Sequence, residues 1–259
     1  MDQPGAAAGP GSAALIAAVT LLERGIGYLL GALALVTVDT LDRPTPCLGW
    51  DVRALLGHLD DALRALEEAA VLGRVTLVAP IPGWARPVLP VAAQGGAADP
   101  GTAWATCDTT CDTTSGTVCG EAFGTPGGTA GEMAGETACG SGDPAADLRV
   151  VAARVLGEWA ALATSGSRGP QRVGVAEQWL SLPVLAAVGA LEVVVHGWDV
   201  SRACAADRPI PLSLATELLP LARLMIADVD RPGRFAPPVP VPAGAGDGAR
   251  LLAFLGRSG

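Results

Sequence analysis

The chain has 259 residues, enough for one large domain or a domain with a small appendage. Half of the residues are hydrophobic and few are aromatic, so the core must be built from Ala, Leu and Val, which favours helices over a β-sandwich. Every basic residue is an arginine; the net charge is −9 and no basic patch emerges, which argues against nucleic-acid binding.

Residues 1–12 read as a flexible Gly/Ala/Pro tail without the basic start of a secretory signal. Ser12 is placed to cap a first helix over about 13–37, ended by the β-branched run Val36-Thr37-Val38. The stretch from Leu15 to Val38 is apolar, but Glu23 and Arg24 interrupt it and argue against a membrane span. The chain therefore reads as cytoplasmic. Its six cysteines (Cys47, Cys107, Cys111, Cys119, Cys139 and Cys204) are then expected as reduced thiols unless some bind metal.

Pro44 and Pro46 exclude helix from the segment T-P-C-L-G-W. Asp51 then caps a second helix over about 52–71, with Leu55, Leu59, Leu63 and Leu66 as its apolar stripe and Trp50 plugging its entrance. His58 lies on this helix between Ala54, Ala62 and Ala65, small residues that let another helix come close. From about 73 to 142 the pattern breaks down into a Pro-broken apolar stretch, with short strands at best, and then a Cys/Gly/Thr-rich, low-complexity insertion. Cys107, Cys111 and Cys119 in it suggest either a metal or redox site or incidental thiols. Their spacing is looser than that of a zinc knuckle, which favours the incidental reading.

Asp143-Pro144 opens a third helix over about 145–164, with Leu148, Val151, Val155, Trp159 and Leu162 on its apolar face. Residues 166–174 read as a turn region, and V-A-E-Q-W-L-S-L can hold a short strand. Ser181 caps a fourth helix that carries A-L-E-V-V-V-H-G-W-D-V to about Cys204. Residues 205–259 form a small subdomain: a helix from Leu212 to Val229, an edge strand in F-A-P-P-V-P-V-P, and a last short helix ending at Gly256.

The fourth helix carries the chemistry. Glu192 and His196 are four residues apart, so they share a face with about 5–6 Å between Cβ atoms, and Asp199 follows on that face. His196 is one of only two histidines; His58 is the other. A carboxylate among Leu and Val needs a partner, and a divalent metal held by His58, Glu192 and His196, with a position left open, would supply one. An ordinary core Glu–His hydrogen bond, with His58 unrelated to it, satisfies the same spacing. Asp199 is equally readable as a carboxylate orienting a ligand and as a solvated or capping one.

Three segments in order, T-P-C-L-G-W-D-V-R-A-L-L-G-H-L, E-V-V-V-H-G-W-D-V and F-A-P-P-V-P-V-P…R-L-L-A-F-L-G-R, resemble the actinobacterial metal-binding proteins of the mycothiol-dependent maleylpyruvate isomerase type, within the DinB-like superfamily. The resemblance covers about 13–72 and 143–259 and leaves the insertion unmatched. It implies a mainly α fold: an up-down-down-up, DinB-like four-helix bundle over 13–204, interrupted at 73–142 between helices two and three, with a small C-terminal α/β subdomain over 205–259. It also implies a divalent metal, usually zinc, on His58, Glu192 and His196, and thiol chemistry with mycothiol or a related small thiol. On this reading the chain is a metal-dependent isomerase or S-transferase acting on a small electrophilic substrate. The thiol would serve as the nucleophile, and Arg223, Arg231 and Arg234 are weak candidates for holding substrate carboxylates. Two alternatives stay open: a thiol-independent metal enzyme (isomerase, cyclase or hydrolase) of specialised metabolism, and a non-catalytic metal- or ligand-binding resistance protein. The oligomeric state is not legible.

Overall fold

The computed structural model describes residues 10–75, 143–165, 172–175, 178–231 and 235–258. Among these the fold is mainly helical, with six α-helices and one three-stranded sheet. Cys107, Cys111, Cys119 and Cys139, and with them the expected insertion (73–142) apart from its first three residues, lie outside the described residues.

Helix α1 (Pro10–Leu33) buries Leu15, Val19, Leu22, Ile26, Leu29 and Leu33, a run spaced by three and four residues. It starts before Ser12, which therefore lies inside the helix instead of capping it. It also stops four residues short of the expected end. Thr37 is extended, because the β-branched run fits a pleated backbone better than a helix. Helix α2 (Val52–Leu72) is capped as expected, with the Asp51 side chain accepting from the Ala54 N–H at 2.8 Å. Its far end closes on Gly73 in the left-handed conformation. Helix α3 (Pro144–Thr164) has Pro144 at its start and Asp143 accepting from the Ala145 N–H. Its Trp159 is fully buried and donates to the Leu66 carbonyl of α2 at 3.1 Å. Helix α4 (Leu182–Ala203) follows Ser181, whose side chain makes no capping bond.

The four long helices pack in two close pairs, α1 along α4 and α2 along α3, with further contacts between α1 and α3 and between α2 and α4. Gly25 and Gly197 let α1 and α4 approach closely. A Cβ on Gly25 would stand 3.1 Å from Val193 and Val194 methyls, and one on Gly197 would stand 3.3 Å from the Leu29 Cα. This close seam fixes the height of α4 in the core, and thereby the height of Glu192 and His196. Helices α1 and α4 are each long and apolar enough to cross a membrane. Most of α4 is buried among the other helices, however, and a core helix of a globular protein passes the same test.

The sheet comprises β1 (Arg74–Val75), β2 (Arg172–Val175) and β3 (Gln178–Ser181) in that order. Strands β1 and β2 are parallel, and β2 and β3 are antiparallel with Gly174 opposite Trp179. β3 lies in the expected V-A-E-Q-W-L-S-L segment, and β2 begins within residues read as turn.

Beyond α4 come α5 (Leu212–Met225), a 3₁₀ turn at Asp228–Asp230, and α6 (Asp247–Phe254). Helix α5 ends earlier than expected, at an extended Ile226. The expected edge strand is a correction. Residues 235–242 are extended but belong to no strand among the described residues, so the described C-terminal part is helical, not α/β. The cause is the run of prolines, which have no N–H to give to a ladder. One backbone bond, Val239 N–H to Ala253 O at 2.9 Å, holds the segment against α6.

Candidate metal centre

The centre is assembled from two helices, one loop and the C-terminal turn. Helix α2 brings in His58, and α4 brings Glu192, His196 and Asp199 on successive turns. One oxygen of Glu192, Oε1, meets Nε2 of both histidines, at 2.5 Å from His58 and 3.1 Å from His196. The two imidazole rings stand almost perpendicular with centroids 5.0 Å apart. The structure thus brings His58 to the Glu192–His196 pair across 134 residues of chain.

The opposite nitrogen of His196, Nδ1, lies 2.9 Å from Asp199 Oδ2. Asp199 is fully buried and is gripped in turn by Arg257, whose Nε donates to Oδ1 at 2.8 Å and whose Nη2 donates to Oδ2 at 2.7 Å. Arg257 reaches back because Gly256 takes a φ of +80°, which reverses the chain after α6. Any Cβ there would sit 2.6 Å from the Ala236 Cβ, so the turn requires glycine.

The loop between α1 and α2 closes one side. It is pinned by Thr45 N–H to Trp50 O at 2.9 Å and by Trp50 N–H to Cys47 O at 3.0 Å, with Gly49 supplying a positive φ. This puts the Trp50 ring edge-on to His58 at 5.0 Å. The loop also puts the Cys47 thiol 3.3 Å from Asp199 Oδ2 and 3.6 Å from Arg257 Nη2.

The charges follow from this layout. Burial disfavours a charged His196, but the Glu192 charge and hydrogen bonds to Asp199, Cys47 and Glu192 outweigh it and hold the imidazole pKa well above its ordinary value. Burial would likewise raise Glu192; the charge and hydrogen bonds of His196 and His58 reverse the sign and hold it well below the usual carboxylate range. At Asp199 the Arg257 guanidinium overcomes burial, and with His196 brings the carboxyl down to about 2.

Two sets of metal-type donors occur among the described residues: His58, Glu192 and His196, and Cys47, His196 and Asp199. The second set is closed to a cation, because Arg257 already places a positive charge 2.7 Å from the Asp199 oxygen. The first set fits a divalent ion. Its donor atoms lie within 4.8 Å of one another, and tetrahedral ligands at zinc distances stand roughly 3.3 Å apart. The ion would replace the proton that His196 Nε2 carries toward Glu192. Asp199 on the far nitrogen is the partner that fixes the tautomer of a metal-bound imidazole.

The family model for the mycothiol maleylpyruvate isomerase N-terminal domain matches residues 22–201. The chain belongs to that family. No curated protein and no solved structure matches it. The matched stretch includes Cys47, His58, Glu192, His196 and Asp199 and stops short of Arg257.

Two of the arginines singled out in the sequence are among the described residues. Arg231 is buried against Phe254, pairs with Asp228 and donates to the Phe254 carbonyl at 2.9 Å, so it braces the C-terminal part. Arg223 is exposed on α5, and Arg234 lies outside the described residues. The arginine at the centre is Arg257. Its only signal in the sequence was the glycine before it, which marks a helix end that turns the next side chain back. Cys47 gave no signal beyond lying in a Pro-bounded loop before His58.

Proposed function

We propose that the chain is a metal-dependent enzyme of small-thiol chemistry, an isomerase or S-transferase acting on a small electrophilic substrate with mycothiol or a related thiol as co-reactant. The observation that carries this is the convergence of His58 Nε2, Glu192 Oε1 and His196 Nε2, with His196 locked from behind by Asp199 and Arg257. Family membership supports the thiol. In this reading His58, Glu192 and His196 hold the metal, for which zinc is our choice on ligand chemistry. A divalent metal bound there lowers the pKa of a thiol so that it is a nucleophile at neutral pH.

The protein's own groups do the rest. Asp199 keeps the proton on His196 Nδ1, so that Nε2 offers its lone pair to the centre. Arg257 keeps Asp199 ionised by charge and by three hydrogen bonds. The Trp50 ring packs edge-on against His58 and holds it toward Glu192. No histidine is left over as a general base, since both serve as ligands. We read the four long helices as the bundle of this family, residues 73–142 as an insertion into it, and the protein as cytoplasmic.

The test is turnover of an unsaturated dicarboxylic acid or an epoxide by the metal-loaded protein with and without mycothiol. Activity that needs both metal and thiol supports the proposal. Activity abolished by chelator but indifferent to thiol would replace it with thiol-independent metal catalysis.

A further inference from the structure

The loop between α1 and α2 bears on both histidines through residues three apart, although the histidines lie on different helices. The Cys47 thiol lies 3.7 Å from His196 Nδ1 and donates to Asp199 Oδ2 at 3.3 Å. The Trp50 ring stands edge-on to His58 at 5.0 Å. Backbone bonds fix the base of the loop, Val52 N–H to Arg43 O at 3.0 Å and Arg53 N–H to Leu41 O at 2.9 Å. Its interior is tied by one side chain. The Thr45 hydroxyl accepts from the Cys47 N–H at 3.1 Å and donates to the Trp50 carbonyl at 2.9 Å. Thr45, Cys47 and Trp50 are half-buried, whereas Pro46, Leu48 and Gly49 are exposed. A hydroxyl can give one hydrogen and receive another, so a single group serves both residues. A valine of the same shape can do neither, and the Cys47 N–H loses this partner.

We propose that Thr45 is a positioning residue of the metal centre. It acts through its neighbours: its hydroxyl holds Cys47 against His196 and Asp199, and Trp50 against His58. The inference rests on the reading of His58, Glu192 and His196 as metal ligands and extends it to the loop. A three-ligand site binds well when its imidazoles are aimed before the ion arrives, and the groups that aim them contribute to affinity. Thr45 does this for both rings at once, from a position on neither α2 nor α4.

The test is titration of the full chain, freed of metal by a chelator, with cobalt(II), in the wild type, Thr45→Val, Thr45→Ser and Leu48→Ala. The visible absorption of the bound ion reads both affinity and ligand geometry, and urea denaturation of each metal-free chain shows that it is folded. Thr45→Val is expected to bind cobalt(II) roughly tenfold more weakly, with an altered spectrum, and Thr45→Ser to return to the wild-type value. Leu48→Ala, on the same loop at a side chain 93% exposed, is expected to change neither. Wild-type affinity and spectrum in Thr45→Val, or Thr45→Ser as weak as Thr45→Val, would overturn the assignment. So would Leu48→Ala as weak as Thr45→Val, since any loosening of the loop would then suffice. Should Thr45→Val not fold, Cys47→Val carries the test: it keeps the backbone bonds to Thr45 and removes the thiol. It is expected to weaken cobalt(II) binding, and wild-type affinity there would overturn the inference. A wild type that takes up no cobalt(II) would overturn the metal reading itself and this inference with it, an outcome distinct from variants that match a metal-binding wild type.

Discussion

Replacing Asp199 by Asn removes one negative charge at nearly constant shape, from a carboxylate with no exposed surface. Two partners lose it: His196 Nδ1 at 2.9 Å and Arg257 Nη2 at 2.7 Å. The fall of the Asp199 pKa from 3.8 to about 2 corresponds to about 2.5 kcal/mol of stability at neutral pH. Removing one partner of a buried ion pair gives a similar or larger figure, about 3–5 kcal/mol, because the guanidinium stays behind uncompensated. A loss of about 2–4 kcal/mol in urea denaturation of the metal-free protein is therefore expected.

The pH dependence has a definite sign. The folded-state pKa lies below the unfolded one, so the contribution is complete above about pH 4 and lost as pH falls toward 2. The wild type loses this increment across that window, and Asp199→Asn has no such increment to lose. Metal affinity should fall about 10–100-fold, since the variant no longer fixes the His196 tautomer. A variant that keeps wild-type metal affinity and loses less than about 0.5 kcal/mol, the scatter of neutral surface changes, would refute the relay from Arg257 through Asp199 to His196.

Two further outcomes follow from the packing. Gly256→Ala forces a Cβ to 2.6 Å from Ala236 at a φ of +80°, so a loss of about 1–3 kcal/mol for the conformation, plus the clash, is expected in thermal or urea unfolding. The same change displaces Arg257, so metal affinity should drop although no ligand is altered. Trp159→Phe leaves the Leu66 carbonyl without its indole donor inside the α2–α3 interface. A loss of about 1–3 kcal/mol with unchanged metal content is expected, read by denaturation and elemental analysis.

The parts of the centre that share a helix were legible in the sequence. Glu192, His196 and Asp199 lie on successive turns of α4, and that spacing alone places them on one face. His58 was legible because only two histidines exist and each lies in an apolar helical pattern. Helix starts marked by Asp51 and Asp143 were legible because a short carboxylate before an apolar period has one local use. Arg257 was not, because its partner is 58 residues away and the pairing depends on how α6 docks, which no local pattern encodes. The same holds for Cys47, 152 residues from Asp199. Arg231 misled because a sequence cannot distinguish an arginine facing a ligand from one bonded to the Phe254 carbonyl. The proline-rich segment at 235–242 misled because extended backbone was read as strand, although its prolines remove the donors a strand needs.

The most direct test of the centre is elemental mass spectrometry of the purified chain beside His196→Ala. The account predicts about one divalent ion per wild-type chain and a large loss in the variant, because a three-ligand site that loses an imidazole keeps one histidine and one carboxylate. A wild-type chain that carries no metal and takes none up on titration would contradict it, as would a His196→Ala chain that keeps its full complement.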